Sequence, residues 1–187
     1  MSQVSHLKST GLTNLDAIPR VANSPGQGGP NFLFSVDGWT TALAADSAGT
    51  TYQLARVPSN AIMKRLRFES EAQGAGAVEL GAYYSTSTTD GTAANNQNSD
   101  GTPKVAGSGN EAFFAAHFSI ASAVAGEYIR GNGNTTLNTI NLSQEPLWQA
   151  LGLASDPGGY LDIVATVNTT AITTGTGRVY AQVDYTI

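Results

Sequence analysis

The chain has 187 residues, 41% of them hydrophobic and 12% charged, a charged share about half the usual one of about 25%. Its net charge is −5 and it has no cysteine. This excludes disulfides, thiolate metal sites and cysteine nucleophiles, and it argues against a nucleic-acid binder, which needs a basic patch.

Residues 1–30 read as an extended N-terminal arm. Pro19, Pro25 and Pro30 punctuate it, with Gly26, Gly28 and Gly29 near its end. Val4, Leu7, Leu12, Leu15, Ile18 and Val21 follow neither a helical nor a strand period. Such a segment cannot bury enough surface to fold alone, so the arm is expected to be clamped by a partner chain or by the core. Its first residues carry no apolar core of a signal peptide, and none is expected. No run approaches the roughly 18 apolar residues of a spanning helix, so no membrane contact is expected, and the protein is expected on the cytoplasmic side of a cell.

Residues 31–187 read as one β-sandwich domain. Asn31–Val36 is a first strand closed by a turn at Asp37-Gly38, and Trp39–Asp46 is ambiguous. Ser47-Ala48-Gly49 then turns the chain into a strand beginning at Thr51. Pro58-Ser59-Asn60 is a turn, with Pro58 setting φ. From Ala61 the side chains alternate: Ile62, Leu66 and Phe68 face one way, and Arg65, Arg67 and Glu69 the other. Lys64 is a misfit on the apolar side. Lys64, Arg65 and Arg67 are the one basic cluster and read as a solvated strand face. After a turn at Ala72-Gln73-Gly74-Ala75-Gly76, Val78, Leu80, Ala82 and Tyr84 share a face, the period of a half-buried antiparallel strand.

Ser85–Asn110 is a polar loop far longer than usual. Its Asp and Asn oxygens suit calcium, but the spacing fits no calcium loop, and no metal is expected. Glu111–Val124 is a strand or a short helix, with Phe113, Phe114, Phe118 and Ile120 as core candidates. His117 among them reads as a packed side chain. Glu127–Arg130 is a further strand, broken by Gly131-Asn132-Gly133-Asn134, and Thr136–Leu142 an edge candidate. Gln144–Leu151 is the one short helix, with Ser143 as a cap, Leu147, Trp148 and Leu151 on an apolar face, and Gly152 ending it. Asp156-Pro157-Gly158-Gly159 turns into Tyr160–Val167, whose Leu161, Ile163, Ala165 and Val167 share a face. Arg178–Ile187 is the last strand, with Val179, Ala181, Val183, Tyr185 and Ile187 together. Roughly seven or eight strands at short spacing, without alternating long helices, predict an all-β fold, a sandwich of jelly-roll type.

No catalytic template is complete. A serine nucleophile needs a histidine base and an orienting acid, yet the chain has two histidines, His6 and His117, in no recognisable motif. Glycines at 131–133 and 175–177 lack the strand-to-helix context of a nucleotide site. Glu69, Glu71 and Glu79 flank the central hairpin and read as surface charges. The sequons at Asn134, Asn141 and Asn168 read as coincidence in an Asn- and Thr-rich chain. No enzyme activity and no cofactor are expected.

Two blocks carry a family resemblance. The first is Ala55-Arg56-Val57-Pro58-Ser59-Asn60-Ala61-Ile62-Met63-Lys64-Arg65-Leu66 with Val78–Tyr84. The second is Pro146-Leu147-Trp148-Gln149-Ala150-Leu151-Gly152-Leu153 with Asp156–Ile163. Together they resemble small structural proteins of tailed bacteriophages, the head decoration, cement or minor capsid proteins. The resemblance covers about half the chain and excludes the arm and the Ser85–Asn110 loop. It implies a β-sandwich bound to the outside of the phage head in the virion, assembled in the host cytoplasm. The implied partner is the major capsid protein, and the implied state a homo-oligomer, a dimer or trimer, without nucleic acid. Under that reading Leu7, Leu12, Leu15 and Ile18 lie across a neighbouring subunit. The alternative is a carbohydrate-binding or host-attachment module, such as a head fibre or tail component, with Trp39, Trp148, Tyr83 and Tyr180 as stacking candidates. A pilin-like subunit is disfavoured by the missing signal peptide.

Overall fold

The computed structural model describes residues 33–44, 46–85, 104–107, 110–128, 144–168, 172 and 177–187. The arm at 1–30 with its contact candidates Leu7, Leu12, Leu15 and Ile18, the arm–sandwich boundary, most of the Ser85–Asn110 loop and the Thr136–Leu142 strand lie outside them.

Eight strands are found among the described residues: β1 (Phe34–Ala42), β2 (Thr51–Pro58), β3 (Ile62–Ser70), β4 (Ala77–Tyr84), β5 (Ala115–Ser119), β6 (Val124–Tyr128), β7 (Tyr160–Val167) and β8 (Gly177–Thr186). A 3₁₀ turn (Asn110–Ala112) precedes β5, and one short helix, α1 (Leu147–Ala150), precedes β7. The strands form two four-stranded sheets, ordered β1-β8-β3-β6 and β2-β7-β4-β5. Every pairing is antiparallel. The protein is an all-β sandwich.

The alternation read in the sequence sets the core. Val78, Leu80 and Ala82 of β4, Leu161, Ile163 and Ala165 of β7, and Val179, Ala181 and Val183 of β8 are all buried. Each large side chain so covered contributes about 1.5–3 kcal/mol. Phe68 of β3 meets Phe118 of β5 edge to face, ring centroids 5.4 Å apart, and ties one sheet to the other.

Three local readings change. Lys64 is no misfit: a bulge lies between Met63 and Arg65 in the β3–β8 pairing. The extra residue shifts the phase, so Met63 is buried while Ile62 is half-buried and Lys64 exposed. Asp37-Gly38 is not a turn, because β1 runs straight through it. Gly38 is needed there for a different reason: a Cβ would overlap the carbonyl of Leu54, the bulged residue of β2 on the other sheet. The chain turns instead at 46–50, with Gly49 at φ 90°. The helix is one turn long, and Pro146, not Ser143, stands at its N-cap without a side-chain hydrogen bond. Gly152, at φ 73°, ends it as the sequence indicates. Within the long loop, Val105 bridges Tyr83, and Ala106 N–H donates to Ala82 O at 3.0 Å.

The glycine turn after β3 is held from inside. Gln73 is fully buried, its backbone N–H donates to Ile120 O at 3.0 Å, and its Nε2 donates to Glu71 O at 3.1 Å.

Candidate functional site

The outward face of the first sheet is built from alternate residues of three neighbouring strands. The register sets Trp39 of β1 opposite Tyr180 of β8, and Tyr180 opposite Glu69 of β3. One step along, Thr41 faces Arg178. The next row the other way is Asp37, Gln182 and Arg67. Side chains on directly opposed residues of an antiparallel pair stand close enough to interact, so these rows act as units.

Beside the Trp39–Tyr180–Glu69 row lies a cavity of about 290 Å³, walled also by Ser70, Glu71 and Arg178. Trp39 is 62% exposed, unusually bare for a tryptophan. The Arg178 guanidinium carbon lies 6.0 Å from its ring centroid. Arg178 Nε and Nη2 donate to Glu71 Oε1 at 3.1 and 2.8 Å, and its backbone N–H donates to Oε2 at 2.8 Å. These hydrogen bonds hold the Glu71 carboxyl below the ordinary carboxylate range and raise the Arg178 guanidinium. Glu69 pairs with Arg67. Tyr180 donates to Asp37 Oδ2 at 3.3 Å, and desolvation, with the Asp37 charge second, pushes its phenol up. Each carboxylate beside the cavity thus has its own arginine. The Ser70 hydroxyl is buried and finds no hydrogen-bond partner among the described residues.

Of the four aromatic candidates, the fold brings together Trp39 and Tyr180 and separates the others. Tyr83, a stacking candidate, is buried on the second sheet. Its hydroxyl lies 2.7 Å from Thr166 Oγ1, and burial pushes its phenol up. Near it Arg56 forms a two-pronged ion pair with buried Asp162, at 2.6 and 2.9 Å. Trp148 is half-buried on α1, where its backbone N–H donates to Ser59 O at 3.1 Å. His117, expected to pack among phenylalanines, is exposed and has φ 53°. It sits where the β4–β5 register slips between Val78 and Leu80, and the left-handed residue accommodates the bulge. Asn168 uses its side-chain amide on Glu79.

Glu69, Glu71 and Arg178 were not legible as a site. Taken along the chain they are surface charges, and Glu71 and Arg178 lie 107 positions apart. Only the pairing of β3 with β8 places them on one wall. Among the described residues no three His, Asp or Glu side chains cluster as a metal would require. No helix among them is long and apolar enough to cross a membrane.

No family model matches the chain, and no curated protein matches it. A solved structure, the cyanophage Pam1 capsid asymmetric unit, shares a distant likeness: 13% identity over 92% of this chain and 96% of that one, with a TM-score of 0.40.

Proposed function

We propose that the protein is a non-enzymatic structural protein of a phage virion, a decoration or cement protein on the outer surface of the head. The observation that carries this reading is the edge strand β1. It exposes Phe34 (44%), and Leu43 just beyond it is 52% exposed. No described strand pairs with its outer side. Soluble proteins ordinarily blunt such an edge with charge, proline or a covering segment, because its free backbone groups and apolar side chains attract other chains. Low charge over the whole chain lowers the desolvation cost of covering it.

The two sequence blocks behind the phage resemblance support the reading further, because they meet in space. The Pro58–Ala61 turn receives the N–H groups of Leu147 and Trp148, at 2.8 and 3.1 Å, on Ala61 O and Ser59 O. We take the pairings β1/β8, β2/β7, β3/β6 and β4/β5 as the basis for reading the sandwich as a jelly roll, a fold common in viral capsid proteins. In this role the protein adds interface between major capsid subunits. Many copies of a modest contact together resist internal pressure. The arm, through Leu7, Leu12, Leu15 and Ile18, lies on a neighbouring subunit, and the protein acts as a dimer or trimer.

The experiment is to mix purified protein with heads lacking it, pellet them, and count copies per particle. Saturation near the number of capsomer contacts is expected. A handful of copies per particle would move the protein to a vertex or the tail, and no binding would overturn the reading. Deleting residues 1–30 is expected to abolish binding while the sandwich stays folded. Unchanged occupancy would remove the arm from the mechanism.

A further inference from the structure

We infer that the cavity beside Trp39 is a binding site for a neutral saccharide, a function separate from any contact with the capsid. Three properties of the wall point to this ligand class.

The first is the indole of Trp39, mostly exposed and standing next to Tyr180 at the cavity rim. A flat, exposed aromatic beside a concave polar surface is suited to the C–H face of a sugar ring. That face is apolar while the rim of the same ring is all hydroxyls, so it needs both kinds of surface at once.

The second is charge balance. Glu71 is held by Arg178 and Glu69 by Arg67. An anionic ligand would meet two carboxylates, and a cationic one would have to displace an arginine. A hydroxyl can donate to a carboxylate and accept from a guanidinium, so it can join these pairs without breaking them. The wall is therefore matched to a polyol without net charge.

The third is pre-organisation and size. Trp39, Glu69, Ser70, Arg178 and Tyr180 stand on paired strands, and Glu71, just past β3, is joined to Arg178 by three hydrogen bonds before any ligand arrives. About 290 Å³ lies just below the roughly 300–1,000 Å³ of small-molecule sites. That room suits one or two sugar rings lying across Trp39.

The test uses the full chain in isolation, so its failure leaves particle binding untouched. Trp148→Phe leaves Trp39 as the sole tryptophan, since the chain has two. Its fluorescence is followed while maltose, cellobiose, lactose and diacetylchitobiose are added separately, with sialyllactose and glucosamine as charged probes; calorimetry on the unmodified chain runs in parallel. Saturable binding of at least one neutral disaccharide is expected. Trp39→Ala should weaken it roughly tenfold or more, the loss of a stacking ring, and Arg178→Met several-fold. Tyr180→Phe, which keeps the ring, should have a smaller effect. Circular dichroism on each variant separates lost binding from lost fold. The proposal is overturned by no saturable binding of any neutral probe, by undiminished binding in folded Trp39→Ala protein, or by tightest binding of a charged probe.

Discussion

Ser59 and Asp156, 97 positions apart, are joined by a 2.5 Å hydrogen bond from Oγ to Oδ1. The same carboxylate oxygen accepts the Gly158 N–H at 2.9 Å, while the Ser59 N–H donates to Gly159 O at 3.0 Å. Ser59 is 2% exposed. One serine thus locks the turn between β2 and β3 onto the turn that launches β7. Asp156 itself is exposed, so this part-buried hydrogen bond is worth about 1 kcal/mol. Ser59→Ala is expected to cost about that much in a urea unfolding series. Asp156→Ala should cost a similar amount, and the double variant less than the sum, because the two share one interaction.

Gly38→Ala is expected to be the most damaging glycine-to-alanine change in the strands. The new methyl would overlap the backbone carbonyl of Leu54, which can yield only if β1 and β2 separate. A cost of about 3 kcal/mol or more follows. Gly177→Ala also meets an obstacle, but that is the side-chain amide of Gln73, which has rotamers to use. Thermal melting should rank Gly38→Ala well below Gly177→Ala; the reverse order would mean the β1–β2 approach is not tight.

Removing the cation beside Asp162 leaves a carboxylate with 3% side-chain exposure facing Tyr83 in the register. Arg56 itself is 39% exposed, so part of the loss is made up by water. Arg56→Met is expected to cost about 2–3 kcal/mol, below the about 3–5 kcal/mol of a fully buried pair. Arg56→Lys should fall between, since it keeps the charge but not the two-pronged geometry. Equal stability of Met and Lys variants would show that the fork contributes nothing.

His117 occupies a left-handed backbone position, φ 53°, that costs an L-residue about 1–2 kcal/mol and glycine little. His117→Gly gives some of this back in unfolded-chain entropy. A net gain of about 0.5 kcal/mol in denaturant midpoint analysis is expected. His117→Val, which fits that region worst, should destabilise.

Glu71 carries the pH dependence of the cavity wall. Its folded-state carboxyl lies below the ordinary value because Arg178 hydrogen-bonds its charged form. The contribution is therefore complete above the unfolded value of about 4.3 and disappears as pH falls through the lowered folded one. A carboxyl-carbon NMR titration should place Glu71 below free glutamate, and Arg178→Met should return it to the ordinary range. An unchanged titration in that variant would remove Arg178 as the cause.

The sequence by itself determined the strands β4, β7 and β8 and their inward faces. β4, β7 and β8 bury one side against the opposite sheet, so Val78, Leu80, Ile163, Ala165, Val179 and Val183 had to recur every second residue. It also determined the turns at Pro58–Asn60, Gly74–Gly76 and Gly152, since backbone geometry there restricts which residues fit. Only the tertiary structure decided where the alternation breaks. The bulges at Leu54 and Lys64 add a residue on one strand and are defined by the partner strand, which lies far away along the chain. For the same reason Gly38 looked like a turn and is a close approach. Tyr83 was a stacking candidate and is buried. The Trp39–Tyr180–Glu69 row was invisible altogether. Hydrophobic alternation reports that a side chain points outward, but long-range pairing decides what it points out beside, and three residues as distant as 39, 69 and 180 leave no local mark of becoming neighbours.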